Sequence, residues 1–209
     1  MESLQLANRL AGYIESEFGE TAIVTGSRLF LREVRIEDVN QRYYQWMNDP
    51  EVTQFLETRF VPQSLAQIAS FVKSKDGSGT EPFFAICRRD TNEHIGNIKI
   101  GPINWIHRHA DISLLIGEKS CWGKGYASEA IQLITRFGFE TIGLNKLRAS
   151  CYGENEGSAR AFEKAGYTRE GRLKGWFFSK GQESDMILLG IRAEDWRTST
   201  TRTEKKAHQ

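Results

Sequence analysis

The chain has 209 residues, 39% of them hydrophobic and 11% aromatic, enough for one sizeable core and short for two full domains. With 28 Lys and Arg against 27 Asp and Glu the formal net charge is +1, so no global positive field exists to hold nucleic acid or an anionic membrane. No run approaches the roughly eighteen apolar residues of a membrane span, and Met1-Glu2-Ser3-Leu4 lacks the basic and apolar regions of a signal peptide, so the expectation is a cytoplasmic protein.

Residues 3 to 18 place Leu6, Ala7, Leu10, Ala11, Ile14 and Phe18 at helical spacing, which predicts an opening amphipathic helix. Its stripe would pack on its own domain or on a twin subunit in a homodimer. After the Thr25-Gly26-Ser27 turn, a first strand is expected over 28 to 34, then helices over 38 to 47 and 64 to 73. Three strands follow, 83 to 88, 94 to 103 and 109 to 116, joined by turns short enough for an antiparallel meander. A helix is expected over 127 to 141, with Ala130, Ile131, Ile134, Phe137 and Gly138 facing the core, and a crossover strand over 146 to 152. A short helix over 158 to 165 ends at Gly166, and strand-like runs lie at 175 to 179 and 185 to 191. These elements give an α+β fold with one mixed sheet. The polar tail, residues 198 to 209, has nothing to bury and is expected to be disordered.

Cys87, Cys121 and Cys151 are odd in number and not closely paired, which reads as free thiols rather than disulfides or zinc ligands. No metal is expected. Cys121, beside a glycine-rich turn, is also a candidate nucleophile, although the chemistry below needs no acyl-enzyme.

The densest signal is the run Ile116 to Ala130, strand, then Gly123-Lys124-Gly125, then helix. Two glycines at a helix N-terminus let successive N–H groups converge on an anion, and Lys124 adds a mobile positive charge. A phosphate-binding P-loop is ruled out because Gly125, not Ser or Thr, follows Lys124, and a dinucleotide fingerprint would need glycine in place of Ser128. Glycines that only make a helix entry remain an alternative.

Gly123-Lys124-Gly125-Tyr126-Ala127-Ser128-Glu129-Ala130, the run Asn155 to Tyr167 and Asp185-Met186-Ile187-Leu188-Leu189, in this order, resemble the GNAT superfamily of N-acetyltransferases. Within it they resemble the branch of ribosomal-protein N-terminal acetyltransferases and their amino-sugar and antibiotic-modifying relatives. The resemblance implies a layered α/β/α fold, a largely antiparallel central sheet flanked by helices. It divides the chain into an opening helix and turn (1 to 27), an acetyltransferase domain (28 to 197) and a tail (198 to 209).

The resemblance also implies that acetyl-CoA is the co-substrate, its diphosphate held by backbone groups of Gly123, Lys124, Gly125, Tyr126 and Ala127. Its arm would run along Leu115 and Ile116, with Asn155 and Ser158 near the sulfur. Trp122 stands where relatives usually carry Gln or Arg, which removes one polar contact. The implied reaction is direct attack of a primary amine on the thioester, so a base and an acid are sought. Phe162 occupies the position of the usual tyrosine acid and has no proton to give, so Ser158 or Tyr152 is the expected substitute. Asp111 is the expected base, with His107 and His109 as alternatives. The acceptor is a protein N-terminus, an amino sugar, a polyamine or an aminoglycoside. A reading from another class is a CoA-binding protein without catalysis.

Overall fold

The computed structural model describes residues 14–15, 21–179 and 181–198. Of the expected tail only Thr198 is described, in a helical turn where its hydroxyl donates to Glu194 O at 3.0 Å, and the rest of the tail and most of the expected opening helix lie outside the described residues. Where that helix is described it is corrected: β1 (Ile14–Glu15) is a strand, paired antiparallel with β2 (Thr21–Ala22). A ladder partner close in sequence overrides the helical spacing there.

One eight-stranded mixed sheet forms the centre. It contains β3 (Val24–Thr25), β4 (Leu29–Glu33), β5 (Phe83–Arg88), β6 (His94–Ile100), β7 (His109–Ile116), β8 (Lys146–Tyr152), β9 (Thr168–Ser179) and β10 (Gln182–Arg192), in the order β3-β4-β5-β6-β7-β8-β10-β9. The pairings are antiparallel except β7 with β8, which is parallel. β6 stops three residues earlier than expected, because Pro102 has no N–H for the ladder and Gly101 lies against the backbone of Thr80 and Glu81. β9 is longer than its sequence suggests. As the sheet edge, it is exposed on both faces along most of its length, so no alternation marks it.

Helices cover both faces. α1 (Gln41–Asn48), α2 (Pro50–Thr53) and α3 (Leu65–Lys75) lie between β4 and β5 in sequence, and Tyr43, Trp46, Ile68 and Val72 form one core with Phe30, Ala85 and Cys87. Asn40, Asp49 and Ser64 cap the three helices by accepting bonds from backbone N–H groups. On the other face α4 (Tyr126–Arg136) and α5 (Glu156–Lys164) bury Ile131, Ile134, Ala159 and Phe162 against Ile98, Ile100, Ala110 and Leu147. The single helix expected to residue 141 changes to a wider π-type turn at Phe137–Ile142. Phe137, Gly138 and Phe139 are consecutive and all buried, which one stripe of an α-helix cannot provide. Gly138 fits because a Cβ there would sit only 3.0 Å from Ile100 and 3.1 Å from Leu147. Among the described residues no helix is long and apolar enough to cross a membrane.

Beneath α1, Arg32 makes a two-pronged pair with Asp38, at 2.8 and 2.7 Å, and Arg35 N adds a third bond. Burial raises the Asp38 pKa, but these donors outweigh it and hold the carboxyl below its usual value. The pair therefore stabilises the fold above a pH of about 4 and is lost as pH falls through the depressed folded value. Asp38→Asn is expected to lower the urea midpoint at neutral pH, with its gap to the wild type closing only as the medium is acidified below about pH 4, towards the depressed folded value. Ile134→Ala, at a position with no exposed area, is expected to cost about 3 kcal/mol with an unchanged urea slope.

Candidate active site

β7 and β8 pair only from His109, Ala110 and Asp111 to Lys146, Leu147 and Arg148. Beyond that rung they separate, while β6 holds β7 to Ile116 and β10 holds β8 to Tyr152. The fork opens into a cleft of about 580 Å³, within the usual size of ligand sites. Its walls are the free edges, from Ile112 to Ile116 and from Ser150 to Tyr152.

At one end lies the glycine turn. Gly123 and Gly125 have φ of 72° and 80°, left-handed values that favour glycine, and no atom comes within 4 Å of a Cβ built on Gly123. Gly125 caps α4 without a side chain, leaving the first N–H groups of that helix open. Glu129, one turn into α4, is buried yet accepts bonds from Ser27 Oγ, Arg28 N, Arg28 Nε and Leu29 N. Burial raises its pKa, but these donors outweigh the effect and keep it ionised. Arg28 also donates from Nη1 to the Lys124 carbonyl at 2.8 Å, and its guanidinium lies over the Tyr126 ring. Arg28 thus ties the turn to β4.

Most residues expected from sequence come together here. Leu115, Ile116, Trp122, Gly123, Gly125, Tyr126, Ala127, Asn155, Ser158 and Tyr152 all line the cleft. Lys124 does not line it, and its carbonyl is turned to Arg28. Trp122 donates its indole N–H to Ile116 O at 2.8 Å, folding over the turn and satisfying a carbonyl at the end of the free edge. Asn155 caps α5 through Ser158 N, while Ser158 also faces the cleft. Arg160 and Lys164 of α5 add positive charge to the lining.

Asp111 is not brought to the cleft. It stands opposite Arg148 on the last paired rung, with Arg148 Nε 2.9 Å from its Oδ1, so it clasps the fork from outside. His107 and His109 stack on each other at the opposite end of β7 and do not line the cleft either. Cys121 and Cys151 are buried free thiols in its wall, and burial pushes Cys151 up to about 11.

At the other end, Tyr152 stacks on Phe177 with centroids 3.9 Å apart and packs near Phe55. Its hydroxyl donates to Glu57 Oε1 at 2.5 Å and accepts from Arg59 Nη2 at 2.9 Å. Burial, then the bond to Glu57, raises the Tyr152 pKa. Sequence reasoning missed Glu57 and Arg59, because they sit on a 3-10 turn (Glu57–Phe60) that carries no motif and meet Tyr152 across more than ninety positions. Among the described residues no group of three or more His, Cys, Asp or Glu is placed to hold a metal.

The model of the acetyltransferase (GNAT) domain matches residues 28–168. The chain is 30% identical over 166 residues to the uncharacterized N-acetyltransferase p20 of Bacillus licheniformis, covering 78% of this chain and 92% of that one. It is 32% identical over 173 residues to the uncharacterized N-acetyltransferase YoaA of Bacillus subtilis, covering 81% and 96%. The spermidine N(1)-acetyltransferase of Escherichia coli is 33% identical over 99 residues, covering 47% and 53%. Among solved structures, spermidine N-acetyltransferase from Vibrio cholerae in complex with CoA and spermine superposes with a TM-score of 0.74 at 23% identity, covering 82% of this chain and 99% of that one. The fold is therefore shared with that enzyme. With the family model spanning well over half of its length and relatives aligned almost end to end, the chain belongs to the GNAT acetyltransferase family and is an acyltransferase.

Proposed function

We propose that this enzyme transfers an acetyl group from acetyl-CoA to a primary amine by direct attack in a ternary complex. The observation that carries the reading is the forked cleft, which joins an open glycine turn, two unpaired strand edges and a tyrosine-lined pocket in one continuous space. The residues suit that co-substrate. Left-handed glycines at a helix N-terminus receive a diphosphate, and the β7 edge at Leu115 and Ile116 offers an extended amide-bearing arm the backbone groups left over from the β6 ladder and the Trp122 bond. Arg160 and Lys164 balance phosphate charge. Bound there, acetyl-CoA supplies the activated acyl group. An N–H on the β7 edge faces the developing oxyanion, and the Ser158 hydroxyl donates to the departing sulfur in the role that Phe162 cannot fill.

For the acceptor, relatives named for spermidine support a small-molecule amine over a protein N-terminus, the acceptor of the ribosomal-protein branch. We place the catalytic domain at residues 28 to 197 and the enzyme in the cytoplasm, a reducing compartment that suits three free thiols.

Calorimetric titration of acetyl-CoA is the direct test. Gly125→Trp is expected to abolish binding while the melting transition persists; undiminished binding would remove the glycine turn from the site. Arg28→Ala is expected to raise the KM for acetyl-CoA about tenfold, equivalent to about 1.4 kcal/mol, with kcat little changed, because it frees the Lys124 carbonyl without touching the acceptor end. Ser158→Ala is expected to lower kcat and leave acetyl-CoA binding intact.

A further inference from the structure

Resting on the acetyltransfer reading, we propose that Tyr152 and Glu57 form a proton exit from the acceptor end of the cleft. The Tyr152 hydroxyl takes a proton from the incoming ammonium while passing its own to the Glu57 carboxylate.

A phenolic hydroxyl has one proton and two acceptor sites. Here the proton is committed to Glu57 Oε1, and one acceptor site receives Arg59 Nη2. What remains is one acceptor site on a residue that lines the cleft, so this tyrosine is set up to receive a hydrogen bond, not to give one to a leaving group. Tyr152 is 5% exposed whereas Glu57 is exposed, so the hydroxyl bridges the cleft interior to solvent. Arg59 fixes the orientation. Its Nη1 donates to Leu56 O at 2.9 Å, and its guanidinium lies over the rings of Phe60 and Tyr152, at 4.2 and 4.9 Å.

Two nearby carboxylates are engaged elsewhere. Asp185 pairs with Arg172 and accepts from Gly175 N, and Glu154 accepts from Ser184 Oγ. Phe55 and Phe177, the remaining ring neighbours of Tyr152, carry no charge.

In the step, the ammonium N–H proton moves to Tyr152 Oη as the phenolic proton moves to Glu57 Oε1. The freed nitrogen lone pair forms the C–N bond, and the C–S bond breaks with its electron pair going to sulfur. The thiolate takes the Ser158 hydroxyl proton, which a second proton from nitrogen replaces, and Glu57 releases the first proton to water. Tyr152 is then the catalytic group, and Glu57 and Arg59 are positioning residues.

The test compares kcat/KM against pH for the wild type and Glu57→Gln, using whichever of spermidine, glucosamine, kanamycin and an alanyl peptide the wild type acetylates fastest. With the relay, the ammonium form is the reactant and the wild-type profile is nearly flat below the pKa of the amine in use, about 10 for an alkylammonium and about 8 for a peptide α-amino group. Without it only free amine reacts, so Glu57→Gln is expected to rise about tenfold per pH unit up to that pKa, lying at pH 7 about 100-fold below the wild type for an alkylamine and about tenfold below it for an α-amine. Tyr152→Phe is expected to match it, the double variant to lose no more than either, and all three to bind acetyl-CoA like the wild type. A Glu57→Gln profile that superimposes on that of an active wild type overturns the relay alone. Loss of acetyl-CoA binding in these variants also overturns it, by assigning the pair a structural role. A wild type that acetylates none of the four overturns the transferase reading for these amines and the relay with it.

Discussion

β7 and β8 are paired with each other over three rungs only, whereas β6 holds β7 from Ile112 to Ile116 and β10 holds β8 from Lys146 to Tyr152. The fork is therefore a stable feature of the sheet. Each strand is anchored from outside, and the Asp111–Arg148 pair marks where the ladder ends. Opening it leaves backbone donors and acceptors without partners, a state that costs free energy unless water or a ligand satisfies them. A substrate arm carrying amides is a chemical match for such an edge. The same separation lets α4 and α5 bring their N-terminal ends to the cleft, Gly125 from one and Asn155 from the other.

A buried carboxylate one turn into α4 would ordinarily oppose the diphosphate of the proposed function. Glu129 is offset by four donors, two of them from Arg28, whose guanidinium also reaches the Lys124 carbonyl in the turn. The start of β4, the N-terminal turn of α4 and the Lys124 peptide are thereby one hydrogen-bonded unit. At the far end, Tyr152, Glu57 and Arg59 form a second unit, joining the last residue of β8 to the turn after α2. Under the proposed function the first unit holds the end that receives the diphosphate and the second the end that receives the amine, with the fork between them.

Much of this was legible in residue order. The 3.6 and 2.0 periodicities located α3, β5, β7, β8 and the first turns of α4, and the glycines with left-handed φ lie where the spacing implied a helix entry. The helix expected over 158 to 165 is present, but it begins two residues earlier, at Glu156, because Asn155 caps it by accepting from Ser158 N. The failures have physical causes as well. The π-type turn after Arg136 follows from close packing of Gly138 on Ile100 and Leu147, which no local propensity encodes. The short strand at Ile14–Glu15 owes its form to a partner strand.

The acid and base assignments show the division most clearly. Sequence alone established the family, the layered α+β architecture and the glycine turn at the entry of α4, since each depends on residues close together in the chain. Only the tertiary structure could place Asp111 against Arg148 and away from the cleft, and only it could bring Glu57 and Arg59 to Tyr152. A proton path depends on distances of about 3 Å between side chains, and those distances are set by how strands and turns pack, not by the spacing of residues along the chain.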